Sequence, residues 1–169
     1  MLPSGKTRGD FLHITVKSDD EMRKLGYNLA RVLEKGDIVY LRGVLGAGKT
    51  TLVRGISRGL GYSGRVNSPT FTLLNIYPAS IAIYHFDLYR LENCDLHDLG
   101  WEEYLDGDGI SLIEWPEAGE GQFPREAMFI NISLCDDDYE RERVVEICAQ
   151  GDKYQHKLEE LKAFVDTGY

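Results

Sequence analysis

A glycine-rich segment in the first third of the chain has the residue types and spacing of a phosphate-binding loop. Gly43-Val-Leu-Gly-Ala-Gly48-Lys49-Thr50 matches the pattern G-x4-G-K-[ST]. Glycines let backbone N–H groups turn inward around phosphate oxygens, and the first turn of a following helix adds a favourable partial charge. The lysine of this pattern reaches the β- and γ-phosphates, and the next hydroxyl can ligate Mg²⁺. The segment therefore predicts a site for a nucleotide with Mg²⁺.

The surroundings of this loop support the same interpretation. An apolar strand over residues 38–41 precedes it and a helical segment over about 49–60 follows it, which argues against an incidental glycine-rich turn. We expect Lys49 to act on the transferred phosphate and Thr50 to bind the metal. The residues expected to contact the nucleotide within the loop are Gly43, Gly46, Ala47, Gly48, Lys49, Thr50 and Thr51.

Two acidic residues end apolar strands and can complete such a site. Asp87 follows residues 81–86, and Glu114 follows residues 110–113. A phosphate loop needs a carboxylate near the metal, supplied from the carboxyl end of a neighbouring strand. Either acid can hold Mg²⁺ directly or through water while the other polarises the attacking water, so both are candidate catalytic residues. A strand-ending acid that merely caps a turn is the alternative for each.

Residues beside these positions have weaker signals. Trp115 follows Glu114 and is either a contact at the rim of the site or a core residue. His85 lies inside an apolar strand and is expected to be a core histidine rather than a base. Three hydroxyl residues around Pro69 form either a γ-phosphate-sensing switch or a plain turn: Ser68, Thr70 and Thr72. Three arginines are either phosphate or adenine contacts or surface charge: Arg90, Arg141 and Arg143.

The elements that must position these residues alternate between strands and helices. This order predicts an α/β, P-loop NTPase-like three-layer domain with a mixed, mostly parallel central sheet. We expect one domain over residues 1–169, with a core over about 11–150 and a C-terminal helix over about 152–166. The predicted strands are 11–16, 38–41, a hairpin of 71–77 and 81–86, 110–113, and a pair of 128–134 and 143–148. The predicted helices are one opened by a capping box at 18–21, then 49–60, an acidic stretch over 91–105 and 154–165.

Charge limits the classes of partner. The chain has 169 residues, with 19 Lys and Arg against 28 Asp and Glu, a net charge of −9. Residues 1–75 hold 12 basic and 6 acidic residues, net +6, while residues 76–169 hold 7 and 22, net −15. A protein that holds nucleic acid by bulk charge is usually basic, so nucleic-acid binding by this chain alone is disfavoured. An acidic face can instead meet a basic protein partner, unless the two halves simply interleave in the fold.

The three cysteines and the lack of long apolar runs indicate the compartment. Cys94, Cys135 and Cys148 form no C-x-x-C pair, which favours reduced thiols over disulfides or a zinc site. No apolar run approaches the ~20 residues of a membrane span. Residues 1–10 lack the apolar core of a signal peptide. We expect a cytoplasmic protein without membrane contact.

Four segments together resemble one family. Residues 43–51, Ser68-Pro-Thr-Phe-Thr72, His85-Phe-Asp-Leu-Tyr-Arg90 and Ile113-Glu-Trp-Pro116 occur in the order and spacing of the TsaE family. The resemblance implies an ATPase that works with TsaD and TsaB to form N6-threonylcarbamoyladenosine at position 37 of tRNAs that read ANN codons. It implies ATP or ADP and Mg²⁺ as cofactors, and tRNA contact only through the protein complex.

The resemblance also assigns roles to residues. It implies that Thr50 and Glu114 bind Mg²⁺, that Asp87 serves hydrolysis and that Trp115 lies near the nucleotide. Members usually have Asp directly after the first loop glycine, where this chain has Val44. We expect nucleotide binding to tolerate this difference, and the rate of hydrolysis or the contact with a partner to be the properties that it can change. The segment beyond Cys135 matches no family motif.

Two other function classes share the phosphate loop. A small-molecule kinase would need an acceptor pocket and usually an arginine-bearing lid, and no arginine-rich lid segment follows the loop. A nucleotide-gated interaction module would bind ATP with little turnover, and it shares every residue assignment with the ATPase. A GTPase is disfavoured because no guanine-reading N-K-x-D motif is present.

Overall fold

A seven-stranded sheet with helices on both faces forms the fold. The computed structural model describes residues 11–70, 72–91, 98 and 100–166. Most of the predicted acidic helix before Gly100, together with Cys94, lies outside the described residues. The strand order is β1-β7-β6-β2-β5-β4-β3. The strands are β1 (Phe11–Val16), β2 (Ile38–Arg42), β3 (Leu74–Tyr77), β4 (Ile83–Asp87), β5 (Ile110–Glu114), β6 (Ala127–Cys135) and β7 (Asp138–Gln150).

Four α-helices and one short 3₁₀ segment accompany the sheet in the described residues. They are α1 (Asp19–Ala30), α2 (Lys49–Gly59), α3 (Trp101–Leu105), the 3₁₀ segment Pro116–Gly119 and α4 (Asp152–Asp166). The predicted capping box is present, because the Ser18 side chain accepts a hydrogen bond from the backbone N–H of Glu21.

The predicted α/β class with a mixed sheet is confirmed, with a smaller parallel share than expected. Among the described strands, β2 pairs parallel with β5 and β6, and β4 pairs parallel with β5. The other three pairings are antiparallel: β1 with β7, β6 with β7 and β3 with β4. The reason is that the hairpin of β6 and β7 lies between β1 and β2, which separates two strands that are close in sequence.

Alternating side chains of the central strands divide the core into two layers. In β2, Val39 and Leu41 pack in the layer with α1, α2 and α4. Ile38 and Tyr40 point to the opposite layer, with Trp101 of α3. This two-sided burial is typical of parallel strands covered on both faces, and it gives the three-layer arrangement.

The C-terminal helix is held by ion pairs to a buried aspartate at the amino-terminal end of β2. Asp37 is fully buried, and its carboxylate lies 2.8 Å from Lys153 Nζ and 3.1 Å from Lys157 Nζ. The hydroxyl of Tyr154 accepts a hydrogen bond of 2.9 Å from the backbone N–H of Ile38. These contacts tie α4 to the strand that leads into the glycine-rich loop.

None of the described helices is long and apolar enough to cross a membrane.

Two glycines let α1 and α2 pack backbone to backbone. A Cβ atom at Gly55 would collide with the backbone carbonyl of Arg23, and one at Gly26 with that of Leu52. Because neither collision is with a flexible side-chain end, a larger residue must push the helices apart. The close approach fixes α2, whose first turn carries Lys49 and Thr50.

We therefore expect Gly55→Ala to destabilise the protein, although this change usually stabilises a helix interior by up to about 1 kcal/mol. The forced separation of packed helices should lower the free energy of unfolding by about 1–3 kcal/mol. Urea denaturation measures the change. Lys24→Ala on the exposed face of α1 is the control and should stay within about 0.5 kcal/mol. A Gly55→Ala protein as stable as the wild type would contradict this account of the helix contact.

Candidate nucleotide site

The glycine-rich loop leaves the end of β2 and leads directly into α2. Gly48, the residue before α2, has φ of 116°, and Gly46 has φ of 79°, both in the left-handed region that favours glycine. A Cβ at Gly43 would lie 2.8 Å from the backbone oxygen of Ile132 on β6. The glycines of the sequence pattern therefore meet backbone requirements of the loop, as expected of a phosphate-binding loop.

Lys49 starts α2, and its side chain is turned into the loop. It is 6% exposed, and its ammonium group donates hydrogen bonds to the backbone oxygens of Gly43 and Val44. Its Nζ also lies 4.1 Å from the ring centroid of Trp115. Burial lowers the pKa of Lys49, and the carboxylates of Glu114 and Asp87 act in the opposite direction. A cation therefore stands between the loop and the two acids.

Parallel strand register brings the two candidate acids side by side. Asp87 on β4 pairs with Glu114 on β5, and Glu114 lies beside Leu41 on β2, two residues before the loop. Both acids are at most 4% exposed. The backbone N–H of Trp115 donates to the oxygen of Leu41 over 3.3 Å, which holds the strand ends together. The structure thus joins Lys49, Asp87 and Glu114 at one edge of the sheet.

The Asp87 carboxylate is held by three donors. Ser68 Oγ and Thr70 Oγ1 each lie 3.0 Å from Oδ2, and the backbone N–H of Tyr89 donates to Oδ1 over 2.9 Å. The hydroxyl of Thr72 instead contacts Asn75. Two of the three hydroxyls considered as a switch therefore orient this acid, and the third does not reach it.

Glu114 is bonded to a buried histidine. His85 Nε2 lies 3.2 Å from Glu114 Oε2, and His85 Nδ1 lies 3.0 Å from the hydroxyl of Tyr77. His85 is fully buried with both ring nitrogens in contact with polar atoms, as expected of a core histidine. Sequence reasoning did not connect it to Glu114, because alternation along β4 shows which face a residue occupies but not which strand lies beside it.

Trp115 lies at the rim of this arrangement. Its φ of 57° is in the left-handed region, where a large residue is rare and costs of order 1–3 kcal/mol. Its ring centroid lies 4.8 Å from that of Tyr89, whose side chain is exposed. The rim position and the contact with Lys49 fit the alternative in which Trp115 borders the site.

A polar groove of about 360 Å³ runs beside the loop. Six residues that line it are Lys17, Ser18, Gly46, Thr51, Tyr139 and Arg143. The hydroxyl of Tyr139 donates to the backbone oxygen of Leu45 over 3.1 Å, and Arg143 Nε donates to that of Ala47 over 3.1 Å. The hairpin of β6 and β7 thus reaches back to the loop.

Sequence reasoning missed Tyr139, and for Arg143 it left surface charge open. Their separation of more than 90 residues from the loop leaves no local signal. Of the other two arginines, Arg90 is exposed, and the side chain of Arg141 lies outside the described residues.

The residues present fit a nucleotide with Mg²⁺. Among the described residues, no group of three or more His, Cys, Asp and Glu is arranged to hold a metal by itself. Mg²⁺ bound with a nucleotide needs only one or two side chains, because phosphates and water complete its shell. Thr50 in the first turn of α2 and Glu114 at the end of β5 are oxygen donors of the kind Mg²⁺ prefers.

Comparison with known proteins places these features in one family. The family described as "Threonylcarbamoyl adenosine biosynthesis protein TsaE" matches residues 16–145. A protein of Bacillus subtilis named tRNA threonylcarbamoyladenosine biosynthesis protein TsaE is 40% identical over 143 residues, covering 84% of this chain and 88% of the relative. The protein of that name from Haemophilus influenzae is 43% identical over 142 residues, covering 80% and 87%. The crystal structure of Bacillus subtilis YdiB matches with a TM-score of 0.80 and 33% identity, covering 92% of this chain and 96% of that one.

The hydroxyl contacts of Asp87 are expected to contribute measurably to stability. Thr70→Val keeps the side-chain shape but removes one donor to a buried carboxylate, and a hydrogen bond to a charged group is worth about 1.5–3 kcal/mol. We expect that loss in the free energy of unfolding, measured by urea denaturation. Thr72→Val is the matched control, because its exposed hydroxyl contacts Asn75 rather than Asp87, and it should cost less than about 1 kcal/mol. Equal costs would contradict a special role of the Thr70 contact.

Proposed function

This chain belongs to the TsaE family, which serves tRNA threonylcarbamoyladenosine biosynthesis, and on that premise we propose that it is a Mg²⁺-dependent ATPase. It binds ATP and ADP and supports modification of tRNA position 37 together with partners of the TsaD and TsaB type. The observation that carries the proposal is the meeting of Lys49, Asp87 and Glu114 beside the glycine-rich loop. That set combines a phosphate cation, a metal ligand and an acid able to orient water.

The phosphates are proposed to lie in the cradle of residues 43–50, with backbone N–H groups and the start of α2 facing them. Lys49 then exchanges its loop carbonyl partners for phosphate oxygens. The groove beside the loop, with Tyr139 and Arg143 at its wall, is the place we assign to the nucleoside. Its volume of about 360 Å³ lies in the usual range of small-ligand pockets.

The contacts of the two acids support a division of labour between them. Asp87 has donors on both of its oxygens, which fixes its orientation and suits it to align an attacking water. Within the described residues, Glu114 has a side-chain hydrogen bond on Oε2, from His85. We assign Thr50 and Glu114 to the metal and Asp87 to the water. Mg²⁺, when bound, neutralises charge that develops on the phosphates, and Lys49 supplies the same help from the loop.

Exposed apolar side chains around the mouth of the site support activation by a protein partner. Val44 and Leu45 in the loop are about half exposed, as is Tyr139 on the hairpin, and Tyr89 is exposed to 43%. Apolar side chains grouped around a polar site mark a surface that a partner can cover. Val44, which replaces the usual family Asp, belongs to this surface, so the difference affects partner contact rather than the cradle.

The same surface also supports the alternative of a nucleotide-gated interaction module, in which turnover is slow and binding to the partner is the output. We propose a cytoplasmic location, because the cysteine spacing, without a C-x-x-C pair, favours reduced thiols. Contact with tRNA is proposed to occur only through the complex, because the net charge of −9 opposes binding by this chain alone.

Lys49→Ala should weaken ADP binding about 10-fold to 100-fold, because charge-assisted hydrogen bonds to phosphate are lost. Fluorescence anisotropy with a labelled ADP measures the affinity. Lys162→Ala on α4 is the control for removal of a lysine charge and should bind like the wild type. Unchanged affinity in the folded Lys49→Ala protein would refute the assignment of the loop.

ATP hydrolysis with Mg²⁺, alone and with TsaB and TsaD, tests the proposed activity. We expect strong stimulation by the two partners, and in the complex Asp87→Asn should lower kcat about 100-fold with a smaller effect on binding. Glu103→Gln, which removes an exposed acid on α3, is the control. Binding of ATP and partners without stimulated hydrolysis would favour the interaction module, and phosphate transfer to a metabolite would favour a kinase.

A further inference from the structure

A chain of buried polar groups extends behind Glu114, away from the loop. It runs from the Glu114 carboxylate to His85 Nε2 over 3.2 Å and from His85 Nδ1 to the Tyr77 hydroxyl over 3.0 Å. The Tyr77 hydroxyl also lies 3.1 Å from the backbone oxygen of Asn67. We propose that His85 is a positioning residue, which with Tyr77 fixes the orientation of the Glu114 carboxylate for Mg²⁺. This inference rests on the proposed function of the site.

For a neutral imidazole beside an ionised Glu114, the donors and acceptors of the chain allow one arrangement. An ionised carboxylate only accepts hydrogen bonds, so His85 must carry a proton on Nε2 and donate it to Glu114. In a neutral ring Nδ1 is then the acceptor, and the Tyr77 hydroxyl donates to it. The oxygen of Asn67 keeps another donor, because Asn75 Nδ2 lies 3.1 Å away. Tyr77 therefore selects the ring tautomer that points an N–H at Glu114.

His85 is a polar residue at a fully buried position. His85 is fully inside the core, on the same face of β4 as the fully buried Ile83, where an aliphatic residue would pack without any polar group to satisfy. Aromatic contacts also restrict the position of the His85 ring. The ring centroids of His85 and Tyr77 lie 5.9 Å apart, and those of Tyr77 and Tyr62 lie 5.2 Å apart. A rigid donor behind a carboxylate is the usual way to hold a metal ligand in one orientation.

The chain also links Glu114 to the segment that holds Asp87. Asn67, which contacts Tyr77, is directly followed by Ser68, whose hydroxyl bonds Asp87. The same short segment thus helps to orient both site acids, which are paired at the ends of β4 and β5. Loss of His85 should disturb Glu114 alone, since the three donors to Asp87 do not depend on the ring.

The test separates affinity for the nucleotide from affinity for the metal. Binding of labelled ADP is measured in EDTA and across a Mg²⁺ titration for His85→Leu, His85→Gln, Tyr77→Phe and the wild type. His85→Leu keeps the space filled but removes the hydrogen-bond donor to Glu114. Loss of a hydrogen bond to a metal ligand typically lowers the metal affinity about 10-fold to 100-fold. We expect the Mg²⁺ concentration for half-maximal effect to rise at least about 10-fold in His85→Leu. The affinity for ADP in EDTA should stay within about twofold of the wild type, because the loop cradle is untouched.

The conservative variants distinguish positioning from a purely structural role. His85→Gln can place an amide N–H near Glu114 and should recover most of the Mg²⁺ response, while Tyr77→Phe keeps the ring packing and should give an intermediate loss. Ile83→Val, on the same face of β4, is the control for a core change and should leave the Mg²⁺ response unaltered.

Three outcomes would count against the inference. Equal losses in EDTA and in Mg²⁺ would show that His85 only supports the core, and an unchanged Mg²⁺ response in folded His85→Leu would show that it does not position Glu114. If His85→Leu does not fold, Tyr77→Phe decides, and a wild-type response there overturns the proposal. A wild-type protein that does not bind ADP, or binds it without any Mg²⁺ effect, refutes the proposed function itself.

Discussion

The buried ammonium group of Lys49 is the constraint on which the rest of the site depends. A cation taken out of water must find oxygen atoms or negative charge nearby, since an unpaired buried charge costs several kcal/mol. Two loop carbonyls, the face of Trp115 and two carboxylates meet this demand. Those partners come from the loop after β2 and from the carboxyl ends of β4 and β5, so the position of one side chain requires the correct assembly of the sheet edge.

Strand register decides how the negative charge is arranged around that cation. Because β2, β5 and β4 run parallel and next to each other, their carboxyl ends lie at one edge, and the pairing of Asp87 with Glu114 places two acids side by side. Two adjacent carboxylates repel each other, so each needs donors of its own. Hydroxyls and a backbone N–H supply them for Asp87, and an imidazole supplies one for Glu114.

The hairpin of β6 and β7 contacts the glycine-rich loop and is part of the proposed partner surface. In the hairpin of β6 and β7, β7 pairs with all of β1, and nearer the tip Tyr139 and Arg143 bond the loop backbone. A partner that contacts the tip of the hairpin would therefore touch residues bonded to the loop. This arrangement places the proposed nucleotide site and the proposed partner contact beside each other.

Features encoded by neighbouring residues could be predicted from the sequence, and features made by distant residues could not. The loop, the capping box at Ser18 and the acids after two apolar strands follow from local spacing, because glycine conformation, capping and alternation act over a few residues. Only the tertiary structure decided that β7 lies between β1 and β6, that Ser68 and Thr70 serve Asp87, and that Tyr77 and His85 stand behind Glu114. Those contacts depend on strand order and register, which are set by how the two faces of the sheet are buried rather than by any local pattern.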